Sequence, residues 1–237
     1  MQRITPRIHF LSAQEEGDRP VLGHIQGDRY TLMVDAGNGA DHVRLYNQSI
    51  AQAGLPAPDF AAITHWHWDH TFGMHALACP SLACAQTNRY LADVMGWEWT
   101  EEAMAKRLAS GEDNEFCDRE IRNAYPDRST ITVRQSDIAF VDSLTLDLGG
   151  IHCELRRVEC PHSADSVLAF IPEEGMLFVG DAGYEGSHHG RRPLYKAKLA
   201  GFIAVLERIN FTRCLTGHGE LQTKDELLAE LQSDLLA

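Results

Sequence analysis

No stretch of this sequence is apolar for long enough to cross a bilayer as a helix. The N-terminus, from Met1 to His9, also lacks the apolar segment that opens a secretory signal. Together these absences predict a cytoplasmic protein with no membrane partner. Cysteine is sparse. Its six residues show no paired, regular spacing, which predicts free thiols in a reducing compartment and not a disulfide framework. Basic residues are outnumbered, with 21 Lys and Arg against 34 Asp and Glu and a formal net charge of -13. A nucleic-acid partner is disfavoured on that count, because a protein needs cations to neutralise phosphates. There is no internal repeat and no low-complexity segment.

What the chain does have is concentrated in His65-Trp66-His67-Trp68-Asp69-His70, four metal-ligand side chains within six residues. The preceding Asp59-Phe60-Ala61-Ala62-Ile63-Thr64 reads as a buried strand. On an extended segment His65 and His67, two apart, point to one side. Asp69 and His70 then fall on a turn opening Thr71 to Leu77 and can approach the same space from a second direction. Imidazole nitrogens with a carboxylate suit zinc, and also iron or manganese.

Histidine-x-histidine-x-aspartate-histidine after a strand resembles the metal-binding motif of the metallo-β-lactamase fold hydrolases, and the rest of the chain supplies that family's later motifs in order. Cys160-Pro161-His162-Ser163-Ala164-Asp165-Ser166 is similar to its Pro-Gly-His-Thr-x-Gly-Ser loop, with Pro161 where the family usually has glycine. Asp181 ends the strand Met176 to Gly180 and matches its Gly-Asp; His218 lies in Thr216-Gly217-His218-Gly219 and matches its Gly-His-Gly. Asp35, in Met33-Val34-Asp35-Ala36-Gly37, matches the acidic residue that the family keeps beneath its metals. Five motifs in sequence order are a specific signal.

The resemblance implies a four-layer αββα sandwich formed as one domain over residues 1–237. It also implies two divalent cations, zinc first, with iron or manganese as alternatives. His65, His67 and His162 would hold one cation, and Asp69, His70 and His218 the other, with Asp181 between them and Asp35 orienting a ligating imidazole. Two such ions, about 3.5–4 Å apart, lower the pKa of a shared water toward ~7 and make a bridging hydroxide the nucleophile. Asp69 and Tyr184 are the candidate catalytic residues. Tyr184 stands three positions beyond Asp181, where quorum-signal lactonases of this fold carry a tyrosine that donates to the reacting oxygen. Arg191 and Arg192, in the best candidate for a locally basic patch, are candidate anchors for an anionic group on the substrate.

Periodicity predicts strands near 7–12, 20–26 and 29–35, a helix near 40–53, and, after the ligand strand, polar helical segments at 89–95, 101–110 and 115–125. These segments form a helical insertion over about 88–125, with Leu91, Met95, Trp97 and Met104 expected to roof the site. Strands return at about 137–141, 144–148, 151–158, 166–171, 176–180 and 213–215, with helices near 195–209 and 224–235. His75, His188 and His189 read as surface histidines and Cys160 as a small buried thiol. Trp66, Trp68, Trp97 and Trp99 read as packing, with Trp68 or Trp97 the ones to line a pocket.

The leading expectation is a dinuclear hydrolase of a small-molecule ester, lactone or thioester. A phosphodiesterase comes second, and an iron-dependent oxidoreductase on the same fold third. Flavin-linked diiron members carry glutamate in place of the second histidine, and His67 speaks against that class. The complete ligand set also disfavours a mononuclear dioxygenase and a silent binding protein. Amidohydrolase barrels open with His-x-His, but they are longer and do not continue into Asp-His. The glyoxalase-like thioesterases carry a further C-terminal helical region for glutathione, which this chain is too short to include.

Overall fold

The computed structural model describes residues 1–185 and 192–236, with no side chain described for 192–194. Two sheets face each other. The first runs in the order β1 (Gln2–Arg3), β2 (Ile8–Leu11), β3 (Leu22–Gln26), β4 (Thr31–Val34), β5 (Phe60–Ala62), β6 (Ser81–Cys84) and β7 (Ile138–Phe140). The second holds β8 (Ser143–Asp147), β9 (His152–Arg157), β10 (Val167–Ile171), β11 (Met176–Gly180), β12 (Arg213–Thr216) and β13 (Gln222–Thr223), in order from one edge to the other. Pairing is antiparallel except for the successive pairs from β4 to β7 and the pair β11 with β12.

The two-residue period of the strands explains the layering. On β10 and β11, Val167, Ala169, Ile171 and Phe178 point between the sheets, where they meet Ile25, Leu32 and Val34. The intervening Leu168, Leu177 and Val179 point the other way, onto Leu199, Phe202 and Leu206 of α6 (Arg192–Arg208) and Leu227 and Leu231 of α7 (Lys224–Leu236). The outer face of the first sheet does the same with Leu22 and Met33, which pack on Tyr46 and Ile50 of α1 (Ala40–Gln52). Strands apolar on both faces, with one helical layer outside each sheet, give the αββα sandwich expected from the sequence.

Between β6 and β7 come three helices: α3 (Ala85–Val94), α4 (Glu101–Ser110) and α5 (Glu115–Ala124). Thr100 Oγ1 caps α4 by accepting from Ala103 N at 3.2 Å, and Asn114 Oδ1 caps α5 by accepting from Cys117 N at 2.9 Å. Their apolar side chains Val94, Met104, Ile121 and the neighbouring Tyr125 pack on Trp68 and Phe72, so the insertion sits on the segment that follows the histidine motif. The tryptophans belong to this packing. The insertion lies beside the site, but the expected roof differs in its residues: Leu91 and Met104 are buried in packing, Met95 is 53% exposed to solvent, and Trp97 with Trp68 lines a small pocket beside His67. A helix must bury one face, and α3 and α4 spend their apolar residues on anchoring. The wall over the site is formed by α5, through Phe116, Cys117, Arg119 and Glu120.

All six cysteines are free thiols. No helix among the described residues is long and apolar enough to cross a membrane.

Under α1, His24 is completely buried, its Nδ1 2.8 Å from the hydroxyl of Tyr46. Burial pushes its pKa down from 6.5 to about 4, with His9 adding to the effect. The folded-state value lies below the unfolded one, so unfolding takes up a proton. The neutral ring therefore contributes stability that is complete above about pH 6.5 and is lost as pH falls toward 4, at about 1.4 kcal/mol per pH unit. The His24→Gln variant is expected to show a flatter dependence of unfolding free energy on pH between 6.5 and 4 than the parent protein, measured by urea denaturation in the presence of a chelator. Equal slopes would assign the acid lability elsewhere.

Candidate metal centre

β5 ends at Ala62, and Ile63, Thr64 and His65 carry the chain on past the end of the strand, Ile63 N still donating to Leu82 O at 2.9 Å. At His67 the chain reverses into the single turn α2 (Trp68–Thr71), which carries Asp69 and His70 back beside His65. The turn is fastened by Ala36 N donating to His70 O at 3.0 Å and by the Thr71 hydroxyl donating to His67 O at 2.9 Å. His162 comes from the loop between β9 and β10, Asp181 from the end of β11, and His218 from the loop after β12. Facing loops of both sheets thus meet at one edge of the sandwich.

The seven side chains gather as His65, His67 and His162 in one group and Asp69, His70, Asp181 and His218 in a second. In the first group, His162 Nε2 lies 3.2 Å from His65 Nε2 and 2.9 Å from His67 Nδ1. Three imidazole nitrogens at that separation fit a shared cation far better than one another. In the second group, His70 Nε2 lies 3.0 Å and His218 Nε2 3.1 Å from Asp69 Oδ2. Asp181 Oδ2 stands between the groups, 3.5 Å from His70, 3.6 Å from His218, 3.6 Å from His162 and 4.0 Å from His65. His70 Nε2, which faces both carboxylates, is buried with no hydrogen-bond partner among the described residues, as a ligand atom is when its place is kept for an ion.

Protonation supports the same fit. Burial works against a charge on His70, but the carboxylates of Asp69, Asp35 and Asp181 hold its pKa well above the ordinary value. His218 is raised to about 9 against its burial by Asp69 and Asp181. Asp181 is lowered to about 2, again against burial, mainly by His70. His65, buried beside other imidazoles, is driven well below the usual range and stays neutral. The second group therefore sets two carboxylates against imidazoles that take up protons, and His65 offers a neutral nitrogen; cations satisfy both.

The outer nitrogens are held as well. Asp35 Oδ2 accepts from His70 Nδ1 at 2.8 Å, and Thr64 donates to the same carboxylate from its backbone N at 2.7 Å and its hydroxyl at 2.9 Å. Thr64 Oγ1 lies 3.1 Å from His65 Nδ1, which directs the Nε2 atoms of both histidines inward. Asp165, completely buried, accepts from Thr87 of α3 at 2.8 Å and from Ser163 at 2.5 Å, with the backbone N–H of Trp66 as a further donor. It ties the His67 and His162 loops to the insertion.

The sequence pattern does not single out Thr64 or Asp165. The available signal for Asp165 is its place, where the related motif has its second glycine. Gly217 is visible only as part of a motif, yet a Cβ there would lie 1.9 Å from Asp181 Oδ1, so the close approach of this backbone to the carboxylate requires glycine.

His67, Asp69, His162, Asp181 and His218 open onto a cavity of about 1010 Å³. Tyr184 lines it, its hydroxyl donating to Thr216 Oγ1 at 2.9 Å and its ring centroid 6.5 Å from that of His218. Glu15, Asp18, Glu120, Glu185 and Glu220 line it too, against Arg3 and Arg119, and Arg119 already pairs with Glu120 at 2.8 Å. Arg191 and the side chain of Arg192, like His188 and His189, lie outside the described residues. His75 has its Nδ1 2.8 Å from Phe72 O and stands apart from both ligand groups.

Comparison with known proteins gives a consistent result. The fold resembles a metallo-beta-lactamase from Pontibacter korlensis at 17% identity and a TM-score of 0.66, covering 99% of this chain and 97% of the other. A metallo-beta-lactamase family protein from Thermus thermophilus aligns at 17% identity and 0.67, covering 98% and 81%. A stereoselective inverting sec-alkylsulfatase from Pseudomonas sp. aligns at 12% identity and 0.70, covering 98% of this chain and 40% of that one. Identities this low speak for the fold alone. No curated protein matches. The sequence pattern of the metallo-beta-lactamase superfamily does match, over residues 23–202, and with the metal-binding histidine and aspartate cluster in place the chain belongs to that superfamily of metal-dependent hydrolases.

Proposed function

We propose that the protein is a dinuclear metal-dependent hydrolase that cleaves an ester, lactone or thioester of a small molecule. The observation that carries this reading is Asp181 Oδ2, placed within 4.0 Å of imidazole nitrogens from both ligand groups. His65, His67 and His162 would hold one divalent cation and Asp69, His70 and His218 the second, with Asp181 common to both. The nitrogen and carboxylate donors suit zinc first, and iron or manganese with the same atoms. When bound, such ions supply Lewis-acid polarisation of a substrate oxygen and acidify water.

The chain's own groups do the rest. Asp35 and Thr64 fix the tautomers of His70 and His65, so no reorientation is needed as charge develops. The Tyr184 hydroxyl, turned from Thr216 toward the cavity, donates to the reacting oxygen. The cavity is of a size that holds a small molecule. Its described wall carries more carboxylates than guanidiniums, which favours a neutral carboxylic ester over a phosphodiester. A carboxylate on the distal part of a substrate would be met by Arg3 or by Arg191 and Arg192. A cytoplasmic location without a nucleic-acid partner follows the sequence reading.

Purified without added metal, the protein is expected to hold two equivalents per chain by elemental analysis, and His65→Ala or Asp181→Asn to lower metal content and activity together, activity by more than about 100-fold. Two full equivalents in both variants would reject the ligand assignment. Gly217→Ala is expected to displace the Asp181 carboxylate and lower metal content while far-UV circular dichroism stays unchanged, since only the site is crowded. On the best substrate from a panel of ester, lactone, thioester and phosphodiester chromogens, Tyr184→Phe is expected to lower kcat by about 10- to 100-fold with little change in KM. An unchanged kcat would remove Tyr184 from the reaction.

A further inference from the structure

The connection from β2 to β3 folds over the metal centre as a tight turn. Gln14 and Arg19 close it with two backbone hydrogen bonds of 2.9 Å, and Asn38 Nδ2 donates to Gly17 O at 2.6 Å from below. Asn38 is in turn held by Tyr125, which donates to its carbonyl at 2.7 Å. The strand leaving the turn is tied to the histidine loop itself, Val21 N donating to Gly217 O at 2.6 Å. This network sets Asp18 beside His218, with Asp18 Oδ1 3.5 Å from His218 Nδ1. His218 Nε2, on the far side of the ring, faces Asp69 at 3.1 Å and Asp181 at 3.6 Å.

The same geometry occurs once more, at His70. There Asp35 takes the outer nitrogen at 2.8 Å while Nε2 faces Asp69 at 3.0 Å and Asp181 at 3.5 Å. Backbone conformation sets the two aspartates apart from the rest. Among the described residues, Asp18 (φ 50°) and Asp35 (φ 63°) are the only non-glycine residues in the left-handed region. Non-glycine residues are uncommon in that region, aspartate being one of the types that tolerate it, and such residues gather at functional sites. Here both strained positions deliver a carboxylate to the outer nitrogen of a histidine in the same four-residue group.

We propose that Asp18 is a positioning residue for His218. Its carboxylate accepts the proton of Nδ1, which selects the tautomer with Nε2 unprotonated and aims that atom at the cation shared with Asp69 and His70. The proposal rests on the dinuclear reading above. It gives the second cation a carboxylate-supported histidine on each side, one from Asp35 and one from Asp18. The 3.5 Å separation shortens to a hydrogen bond by a small rotation of the imidazole as it takes up metal.

The test compares the parent protein with Asp18→Asn and Asp18→Gly. Both replacements suit a left-handed backbone, and glycine relieves the conformation altogether. Zinc and cobalt affinities are measured for each equivalent by competition with a chromophoric chelator. Thermal unfolding of the metal-free proteins is followed in parallel, and the His218 tautomer is read from imidazole nitrogen NMR shifts. In both variants one equivalent is expected to bind about 10- to 100-fold less tightly and the other as before. The metal-free proteins unfold at or above the parent temperature, and the His218 signals move toward a tautomer mixture. Unaltered affinity for both equivalents would overturn the role of Asp18. So would equal weakening of both together with a lower unfolding temperature, which marks a merely structural turn. A parent protein that takes up no second cation overturns the dinuclear reading itself, and with it this proposal.

Discussion

A buried carboxylate surrounded by imidazoles is the arrangement on which the rest of this molecule depends. Asp181 is delivered by the second sheet, while His65 and His70, which face it, are delivered by the first. Taking that charge out of water is costly unless opposite charge and hydrogen bonding replace the lost hydration. The protein meets the requirement from both halves at once, and so the packing of sheet on sheet and the assembly of the site are one event. Backbone hydrogen bonds cross the same seam: Val167 N, which opens β10, donates at 2.7 Å to Thr64 O, immediately before the histidine motif.

The layers outside the sheets then act as supports. α1 and the turn after α2 pack beneath the ligand-bearing loops, and the helical insertion braces them from the side through Trp68 and Phe72. Asp165 joins this brace by its bond to Thr87, so the insertion touches the site through a polar contact as well as through apolar area. Of the three helices of the insertion, α5 turns a face to the cavity. Its amphipathic pattern, with Ile121 inward and Phe116 and Arg119 outward, shows why one short helix serves as both anchor and wall.

The ligands are legible in the sequence because each is embedded in a local pattern: histidines at strand-compatible spacing, and an aspartate or histidine bracketed by glycine at a strand end. Strands with alternating or continuous apolar character, such as β10 and β11, are legible for the same reason. β6 is not. Ser81-Leu82-Ala83-Cys84 is short, rich in small residues and runs directly into a helix, so neither propensity nor period marks it as a strand. The edge strands β1 and β13, of two residues each, carry no pattern at all. The supporting groups escape for a different reason. Asp18 meets His218 only in space, Thr64 reaches His70 through the shared Asp35 carboxylate, and Asp165 joins loops far apart in sequence; an isolated polar residue in a loop gives no periodic signal. Leu91 of α3 and Met104 of α4 look available for a pocket in the sequence, when packing around the insertion needs them.

The backbone bond from Val21 to Gly217 has a consequence for how the protein comes into being. His218 and Asp69 meet across 149 positions of sequence, and the turn bearing Asp18 closes on the same late loop. During synthesis the first four ligands emerge together, but the imidazoles and carboxylate that complete both groups follow only with the second sheet. Contacts of such long range form slowly, after much chain entropy has been lost. The nascent first half thus presents an open, histidine-rich edge with nothing opposite it, and a finished cage first meets soluble metal only after β12 and its histidine loop have left the ribosome.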